Sequence, residues 1–353
     1  MSLRIAVIGA GALGLYYGAL LAKHEGATKA RVALLARGDH DALKTRGIKV
    51  RSTDGDFAVP AADLNIYDAA RPETLAEDFG PVDLILIGLK TTANAEAYPK
   101  LVAPIFNERR TVILCLQNGP GNEAALAELF PTRRILGGTA FLCSNRIAPG
   151  EIEHTEHALI HIAPYAKAFE APRRELEPGA IRALFAASGI DCQLRPNYVE
   201  MRWRKQIWNV PFNALCTIHD CPTDRLLAMP GMPDRIAAAM REIIQLGDRV
   251  NAALGENNAN QPPADRINCG EYSLAAKADD IIREQLEKTR TMDAYKPSML
   301  IDYRAGRPIE YDAIIAACLR ERDRHAPDFE IPVIERIARD LKRAVQAGPS
   351  TVS

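Results

Sequence analysis

Three polar side chains recur at four-residue intervals in the segment WRKQIWNVPFN. Lys205, Asn209 and Asn213 drift by only about 40° per step around an α-helix, so they share one helix face. An ammonium group can donate a proton and carboxamides can orient a polar ligand, which is the chemistry that a ketone needs. By spacing alone, a solvated polar stripe explains the pattern better. Pro211 also disturbs this helix, because it removes one N–H and frees the carbonyl of Ile207.

A second polar cluster lies in the segment KPSMLIDYRAGRPIEYDAI. Ser298 and Asp302 stand four residues apart and can share a helix face. Glu310 follows a Gly-Arg-Pro break and begins the next helix. Helix capping and ordinary surface charge explain these residues equally well, so their spacing alone leaves the role of the cluster open.

Glycines punctuate the start of the chain as G-x-G-x-x-G, between an apolar run at residues 3–8 and a helix-like stretch. Gly9 permits a tight turn, Gly11 lets the backbone approach a pyrophosphate, and Gly14 lets the helix pack closely on the sheet. The helix N-terminus offers N–H groups and a positive dipole to phosphates. We therefore expect this turn to bind a dinucleotide through residues Gly9, Ala10, Gly11, Ala12, Leu13 and Gly14.

The residue after the second strand indicates which dinucleotide binds. NAD sites place Asp or Glu there to bind the adenine ribose. This chain has Arg37, in LLARGD, whose guanidinium suits a 2′-phosphate. Asp39 lies close by and weakens the distinction, and an ordinary surface arginine is the alternative. The sequence predicts NADP, as NADPH, as the cofactor.

Composition narrows the class of protein. The chain has 353 residues, enough for two domains, and 44 basic residues balance 45 acidic ones. We therefore expect neither a nucleic-acid partner nor an anionic membrane partner. The seven cysteines form no C-x-x-C pair, which suggests a reducing, cytoplasmic setting. Residues 5–22 carry no charge, but their glycines and flanks argue against a membrane anchor or a signal peptide.

Apolar runs alternate with helical stretches in the first half of the chain. Strands are expected at residues 3–8, 31–36, 83–90 and 111–119, with a further one near residues 48–50, which is typical of a doubly wound parallel sheet. Residues 150–164 alternate in polarity as an antiparallel hairpin would. After Pro196 the pattern becomes helical, with residues 255–265 as a connection between helices.

These patterns predict an α/β fold with an N-terminal Rossmann-type doubly wound parallel sheet, followed by an all-helical C-terminal domain. The cofactor domain is expected at residues 1–196 and the helical domain, which holds substrate and catalytic residues, at 197–345. Residues 346–353 are expected to form a flexible tail.

Seven segments, taken in order, resemble the ketopantoate reductase (2-dehydropantoate 2-reductase) family over almost the whole chain: GAGALG, LLARG, GLK, LQNG, APGEIEH, WRKQIWNVPFN and SMLIDYRAGRPIE. The resemblance implies a Rossmann domain and a helical domain with the substrate in the cleft between them. It also implies NADPH-dependent reduction of ketopantoate to pantoate, a step toward pantothenate and coenzyme A.

The resemblance also implies roles for individual residues. Lys205 would be the general acid that protonates the new alkoxide, and Glu310 would orient Lys205 and contact the cofactor. Asn118 of LQNG would lie beside both nicotinamide and substrate, and Lys90 of GLK would line the cofactor site. The other residues implied to bind or support the substrate are Asn209, Asn213, Ser298 and Asp302.

Two segments depart from the family pattern, ALCTIHDCPTD with Thr223 where asparagine is common, and GGTAFLCSN in place of a threonine-rich turn. They leave open whether the substrate is ketopantoate, another branched 2-keto acid or an opine-type imine. A sensor that binds NADP without turning it over is a further alternative, but it would not need Lys205 with Glu310. Whether the chain forms a homodimer is also left open.

Other clusters are expected to be structural. Three histidines, His154, His157 and His161, need not converge if they lie on a pair of strands. Cys216 has no second pair of ligands at a spacing typical of zinc sites. We therefore expect no metal. Trp203 and Trp208 are expected to serve packing.

Overall fold

The computed structural model describes residues 2–24, 30–130, 133–270 and 272–348. Contacts divide the chain into two compact units. The sheet unit comprises the described residues of Met1–Gln117, Asn122–Tyr198 and Pro262–Asn268. The helical unit comprises those of Asn118–Gly121, Val199–Gln261 and Cys269–Ser353. Within the described ranges, no helix combines the length and apolar character needed to cross a membrane.

The sheet unit is built on one ten-stranded sheet. Its strands are β1 (Leu3–Ile8), β2 (Ala30–Ala36), β3 (Ile48–Ser52), β4 (Phe57–Val59), β5 (Asn65–Asp68), β6 (Leu84–Ile87), β7 (Val112–Cys115), β8 (Ile135–Ala148), β9 (Glu151–Pro164) and β10 (Cys192–Leu194). The series β5-β2-β1-β6-β7-β8 is parallel throughout. Chain order reverses between β1 and β6, which creates the crevice where dinucleotides bind in such sheets.

Helices cover both faces of this sheet, which explains why its central strands are apolar without alternation. Ile5 and Val7 of β1 belong to one hydrophobic core, whereas Ala6 and Ile8 belong to the other. The α-helices of this unit are α1 (Ala12–Lys23), α2 (His40–Arg46), α3 (Glu73–Phe79), α4 (Asn94–Ala97), α5 (Asn122–Leu129) and α6 (Pro178–Ala187). The predicted fold class is confirmed for this half of the chain.

The hairpin predicted within residues 150–164 is wrong. That segment is the single strand β9, and its antiparallel partner is β8. Polar and apolar residues do alternate in this segment, but the hairpin turn that joins β8 to β9 lies before residue 151. The strand predicted near residues 48–50 exists, yet β3 pairs with β9 instead of joining the doubly wound series.

All strands of the described chain end before residue 195, and the helical unit follows. Its α-helices are α7 (Tyr198–Ile218), α8 (Thr223–Leu227), α9 (Met232–Ala259), α10 (Ala278–Arg290), α11 (Ser298–Arg304), α12 (Ala317–His325) and α13 (Pro332–Ala347). Five residues, Asp312–Ala316, form a π-helical turn before α12. The helix α7 runs through Pro211 without a break.

One predicted boundary is wrong, and the predicted tail lies partly outside the described residues. The connection predicted at residues 255–265 starts too early, because α9 continues to Ala259. Pro262–Asn268 then joins the sheet unit, where Asn268 donates to the carbonyl of Pro164 and Ile267 pairs with Ala166. Of the predicted flexible tail, residues 346 and 347 are helical in α13, and residues 349–353 lie outside the described residues.

Candidate functional site

The glycine turn lies between β1 and α1, at the reversal of strand order. Gly9 has φ +102°, and a Cβ there would lie 2.8 Å from the backbone nitrogen of Leu89. A Cβ at Gly14 would lie 1.9 Å from the carbonyl oxygen of Gly9. Both positions therefore require glycine for the local fold, as the spacing predicted.

Gly11 differs from these two glycines, because a Cβ at this position would meet no atom within 4 Å. Gly11 is exposed and is the N-cap residue of α1, which no side chain caps. A helix N-terminus without a side-chain cap, next to a glycine that faces open space, fits a pyrophosphate group. Gly11, Ala12 and Leu13 are the residues of this turn that could hold it.

Arg37 and Asp39 have different surroundings at the end of β2. Arg37 follows the last residue of β2 and is exposed. Asp39 is buried at 2% exposure, pairs with Arg146 and accepts a hydrogen bond of 3.1 Å from the backbone nitrogen of Gly150. The carboxylate that weakened the cofactor prediction is thus engaged within the fold, whereas the guanidinium of Arg37 is exposed.

A partly buried chain of hydrogen bonds connects the segments that follow β6 and β7. The hydroxyl of Tyr98 donates to Gln117 Oε1 at 2.5 Å, and Gln117 Nε2 donates to Asn94 Oδ1 at 2.8 Å. Asn94 Nδ2 then donates to Asn122 Oδ1 at 2.8 Å. These bonds fix the residues on either side of Asn118–Gly121. Gln117 belongs to the LQNG segment, but spacing along the sequence could not show which distant residues it forms hydrogen bonds with. Exposed Lys90 lies four residues before Asn94.

The backbone of Asn118–Gly121 packs on the π-helical turn of the helical unit. Gly119 has φ +85°, and a Cβ there would lie 1.9 Å from the carbonyl oxygen of Ala313. Only glycine allows this approach. This close approach of Gly119 to Ala313 places Asn118 beside Glu310, which lies just before the π-helical turn. Sequence reasoning did not identify Gly119, although a glycine directly after a candidate site residue was a usable signal. π-Helical turns are often found at functional sites.

The side chain of Asn118 connects Lys205 to Glu310. Lys205 Nζ donates to Asn118 Oδ1 at 2.8 Å, and Asn118 Nδ2 donates to Glu310 Oε2 at 3.0 Å. An ammonium can only donate and a carboxylate can only accept, so this orientation of the amide satisfies both charged groups. Glu310 is buried at 7% exposure. The three residues come from α7, the segment after β7 and the end of the Gly-Arg-Pro break.

A half-buried carboxylate, that of Glu321, lies near the far end of this segment. A Cβ at Gly121 would lie 3.9 Å from Glu321 Oε1, and His325 Nε2 lies 3.7 Å from Glu321 Oε2. Burial raises the pKa of the Glu321 carboxyl and lowers that of the His325 imidazole. The protein interior thus disfavours the charge of both groups.

Asn209 and Asn213 lie on the same face of α7 as Lys205 but differ in their hydrogen bonding. The side chain of Asn209 is only 7% exposed, and no hydrogen bond to it is found among the described residues. Asn213 Oδ1 accepts a 3.1 Å bond from the backbone nitrogen of Met299, at the start of α11. A buried carboxamide without a partner costs free energy unless a ligand or water binds it.

Ser298 and Asp302 both lie on α11, as the spacing predicted, but in different surroundings. Ser298 is the exposed first residue of the helix. Asp302 is buried at 2% exposure, and its carboxylate accepts a 2.9 Å bond from Arg307 Nε. This ion pair folds the Gly-Arg-Pro break back onto α11. The carboxylate of Asp302 is thus engaged within the fold, whereas Ser298 is exposed.

Comparison with known proteins identifies the family of this arrangement. The model described as "Ketopantoate reductase PanE/ApbA" matches residues 5–167, and the one described as "Ketopantoate reductase PanE/ApbA C terminal" matches residues 197–345. A 2-dehydropantoate 2-reductase from Nostoc sp. is 33% identical over 314 residues, covering 88% of this chain and 86% of that protein.

Solved structures agree with these matches. The crystal structure of 2-dehydropantoate 2-reductase from Geobacter metallireducens is 38% identical with a TM-score of 0.79, covering 97% of this chain and 100% of that one. The corresponding structure from Methylococcus capsulatus is 29% identical with a TM-score of 0.75, covering 99% of each chain. This chain belongs to the ketopantoate reductase family, whose members are oxidoreductases acting on a keto or CH–OH group.

Proposed function

We propose that this protein catalyses the NADPH-dependent reduction of ketopantoate to pantoate, the step that leads toward pantothenate and coenzyme A. The observation that carries the proposal is the hydrogen-bond chain of Lys205, Asn118 and Glu310. One helical turn from Lys205 lies the buried carboxamide of Asn209, which has no hydrogen-bond partner in the described part of the chain. A proton donor held in place and a buried amide that needs a ligand are what a 2-keto acid reductase requires. The cytoplasmic setting stays a prediction.

Lys205 provides the proton in this mechanism. When bound, NADPH would supply a hydride to the keto carbon. Negative charge then develops on the keto oxygen, and the Lys205 ammonium stabilises that charge before transferring its proton to the oxygen. Asn118 holds Nζ through its carbonyl, and Glu310 holds the amide of Asn118 through its carboxylate. Glu310 thus orients Lys205 through Asn118.

The carboxamides and hydroxyl on α7 and α11 bind the polar ends of the substrate. Asn209 can both donate and accept, and the Nδ2 group of Asn213 remains for a ligand because Met299 uses its Oδ1. Ser298 adds an exposed hydroxyl at the start of α11. Asp302 fixes the break before Glu310 and supports this group of residues.

The cofactor is assigned as NADP through residues of the sheet unit. Gly11, Ala12 and Leu13 would hold the pyrophosphate at the start of α1, on the turn that Gly9 and Gly14 allow, and Arg37 would hold the 2′-phosphate. Asp39 is paired with Arg146 and Gly150, which favours NADP over NAD. Lys90 would line the same site. Asn118 would lie beside the nicotinamide, and Glu310 would contact the cofactor.

The proposal is tested by measuring NADPH consumption with ketopantoate for the wild type and for Lys205→Ala. We expect Lys205→Ala to lower kcat by about 10² to 10⁴, the usual effect of losing a general acid, with NADPH binding retained. Lys288→Ala, which replaces an exposed lysine on α10, is the matched control. Near-normal turnover by Lys205→Ala would refute the proton-donor role.

Three further outcomes separate the alternatives. Turnover of another 2-keto acid in preference to ketopantoate would reassign the substrate within the same reaction. Turnover only when an amine is supplied with the keto acid would identify an imine reductase. Tight NADPH binding without turnover of any keto acid would identify a sensor.

A further inference from the structure

Trp208 lies on α7 next to the proposed substrate residues, three positions after Lys205. Residues at this spacing are neighbours on a helix surface, about 5–6 Å apart between Cβ atoms. The other tryptophan of α7, Trp203, is 2% exposed and packs against Gly247, whereas Trp208 is partly exposed. Both tryptophans pack against neighbouring residues, as predicted, and Trp208 in addition leaves part of its side chain exposed.

The ring of Trp208 is held in one orientation on two sides. Its ring is stacked on fully buried Phe212, with ring centroids 4.9 Å apart and an interplanar angle of 23°. Its indole N–H donates to Thr289 Oγ1 at 2.9 Å. Its only hydrogen-bonding group is thus used inside the protein, so the exposed part of the ring offers apolar surface.

A loop fixed by Thr223 completes this apolar surface. The Tyr295 ring centroid lies 6.0 Å from that of Trp208. The carbonyl of Tyr295 accepts hydrogen bonds of 3.0 Å from the backbone nitrogen of Thr223 and 3.3 Å from its hydroxyl, and that hydroxyl also approaches the carbonyl of Asp293 at 3.2 Å. Asp293 has φ +49°, a strained conformation that these contacts support.

The same loop leads directly to Ser298. Tyr295 packs beside Trp208, and four residues later the backbone nitrogen of Met299 binds Asn213. The segment therefore runs along α7 from the aromatic pair to the carboxamide. Thr223, which departs from the family pattern, acts on the substrate residues through this segment.

We infer that Trp208, supported by Phe212 and Tyr295, is a specificity residue that contacts the acyl group of the 2-keto acid. This inference rests on the proposed function. An apolar wall on one side of Lys205 and carboxamides on the other side match a substrate with an apolar branched carbon next to its keto group. The enzyme should prefer 2-keto acids branched at that carbon over unbranched ones.

The test compares kcat/KM for 3-methyl-2-oxobutanoate and pyruvate, which differ by two methyl groups at the branched carbon. Burial of two methyl groups predicts a wild-type ratio of about 15. Trp208→Ala should bring the ratio close to one, and Trp208→Phe should retain most of it. Trp203→Phe is the matched control, and we expect it to lower thermal stability without changing the ratio. Tyr295→Ala, which keeps the tryptophan, should lower the ratio by a smaller factor.

The outcomes distinguish this inference from the proposed function. If Trp208→Ala lowers kcat/KM equally for both substrates, or leaves the ratio at its wild-type value, the inference is wrong and the proposed reaction stands. If Trp208→Ala does not fold, the ratios for Trp208→Phe and Tyr295→Ala decide, and a wild-type ratio in both overturns the inference. A wild type that reduces no 2-keto acid overturns both.

Discussion

Glu310 is expected to act on Lys205 through the amide of Asn118, and this coupling has a calculable size. The bond from Asn118 Nδ2 to Glu310 Oε2 is 3.0 Å long and ends on a carboxylate. Bonds to charged groups contribute about 1.5–3 kcal/mol, against about 0.5–1.5 kcal/mol for neutral pairs. Glu310→Gln keeps an acceptor and removes the charge, so it should weaken the orientation of Lys205 by about 1–1.5 kcal/mol, or about tenfold in kcat.

A double-mutant cycle with Asn118→Ala measures the coupling. We expect Glu310→Gln to cost about tenfold in the wild-type background and less than about twofold in the Asn118→Ala background, because the connection to Lys205 is already lost. The assay is kcat for NADPH consumption, with NADPH affinity measured in parallel. Equal losses in both backgrounds would refute the reasoning and show that Glu310 acts independently of Asn118.

The remaining predictions concern the cofactor, the backbone and stability. Arg37→Ala should raise the KM for NADPH at least about tenfold and leave that for NADH unchanged, and an equal rise for both would contradict the 2′-phosphate assignment. Gly119→Ala should lower kcat at least as much as Asn118→Ala and also lower the melting temperature, because its Cβ would lie 1.9 Å from the Ala313 carbonyl oxygen. Asp83→Ala should lower the free energy of unfolding by about 1.5–3 kcal/mol in urea, since the fully buried carboxylate binds Arg110 at 2.6 Å, and a loss below about 0.5 kcal/mol would contradict this.

Local patterns predicted the parts of the fold and of the candidate site that depend on neighbouring residues. The glycine turn and the shared face of Lys205 and Asn209 follow from spacing, because turns and helices repeat over a few residues. The alternation of polar and apolar residues in β9 did not show which strand it pairs with, because any strand of an antiparallel pair can have this pattern. Long-range hydrogen bonds were likewise out of reach. Asp39 pairs with a residue 107 positions away and Lys205 with one 87 positions away.

In the proposed mechanism, the amide of Asn118 is the group that positions Lys205 for proton transfer. Asn118 supplies an acceptor at 2.8 Å without a formal charge, and Glu310 fixes that acceptor from its other side. The arrangement therefore fixes the orientation of the ammonium. Gly119 and the π-helical turn make this possible, because they bring the backbone next to Asn118 against the residues that follow Glu310.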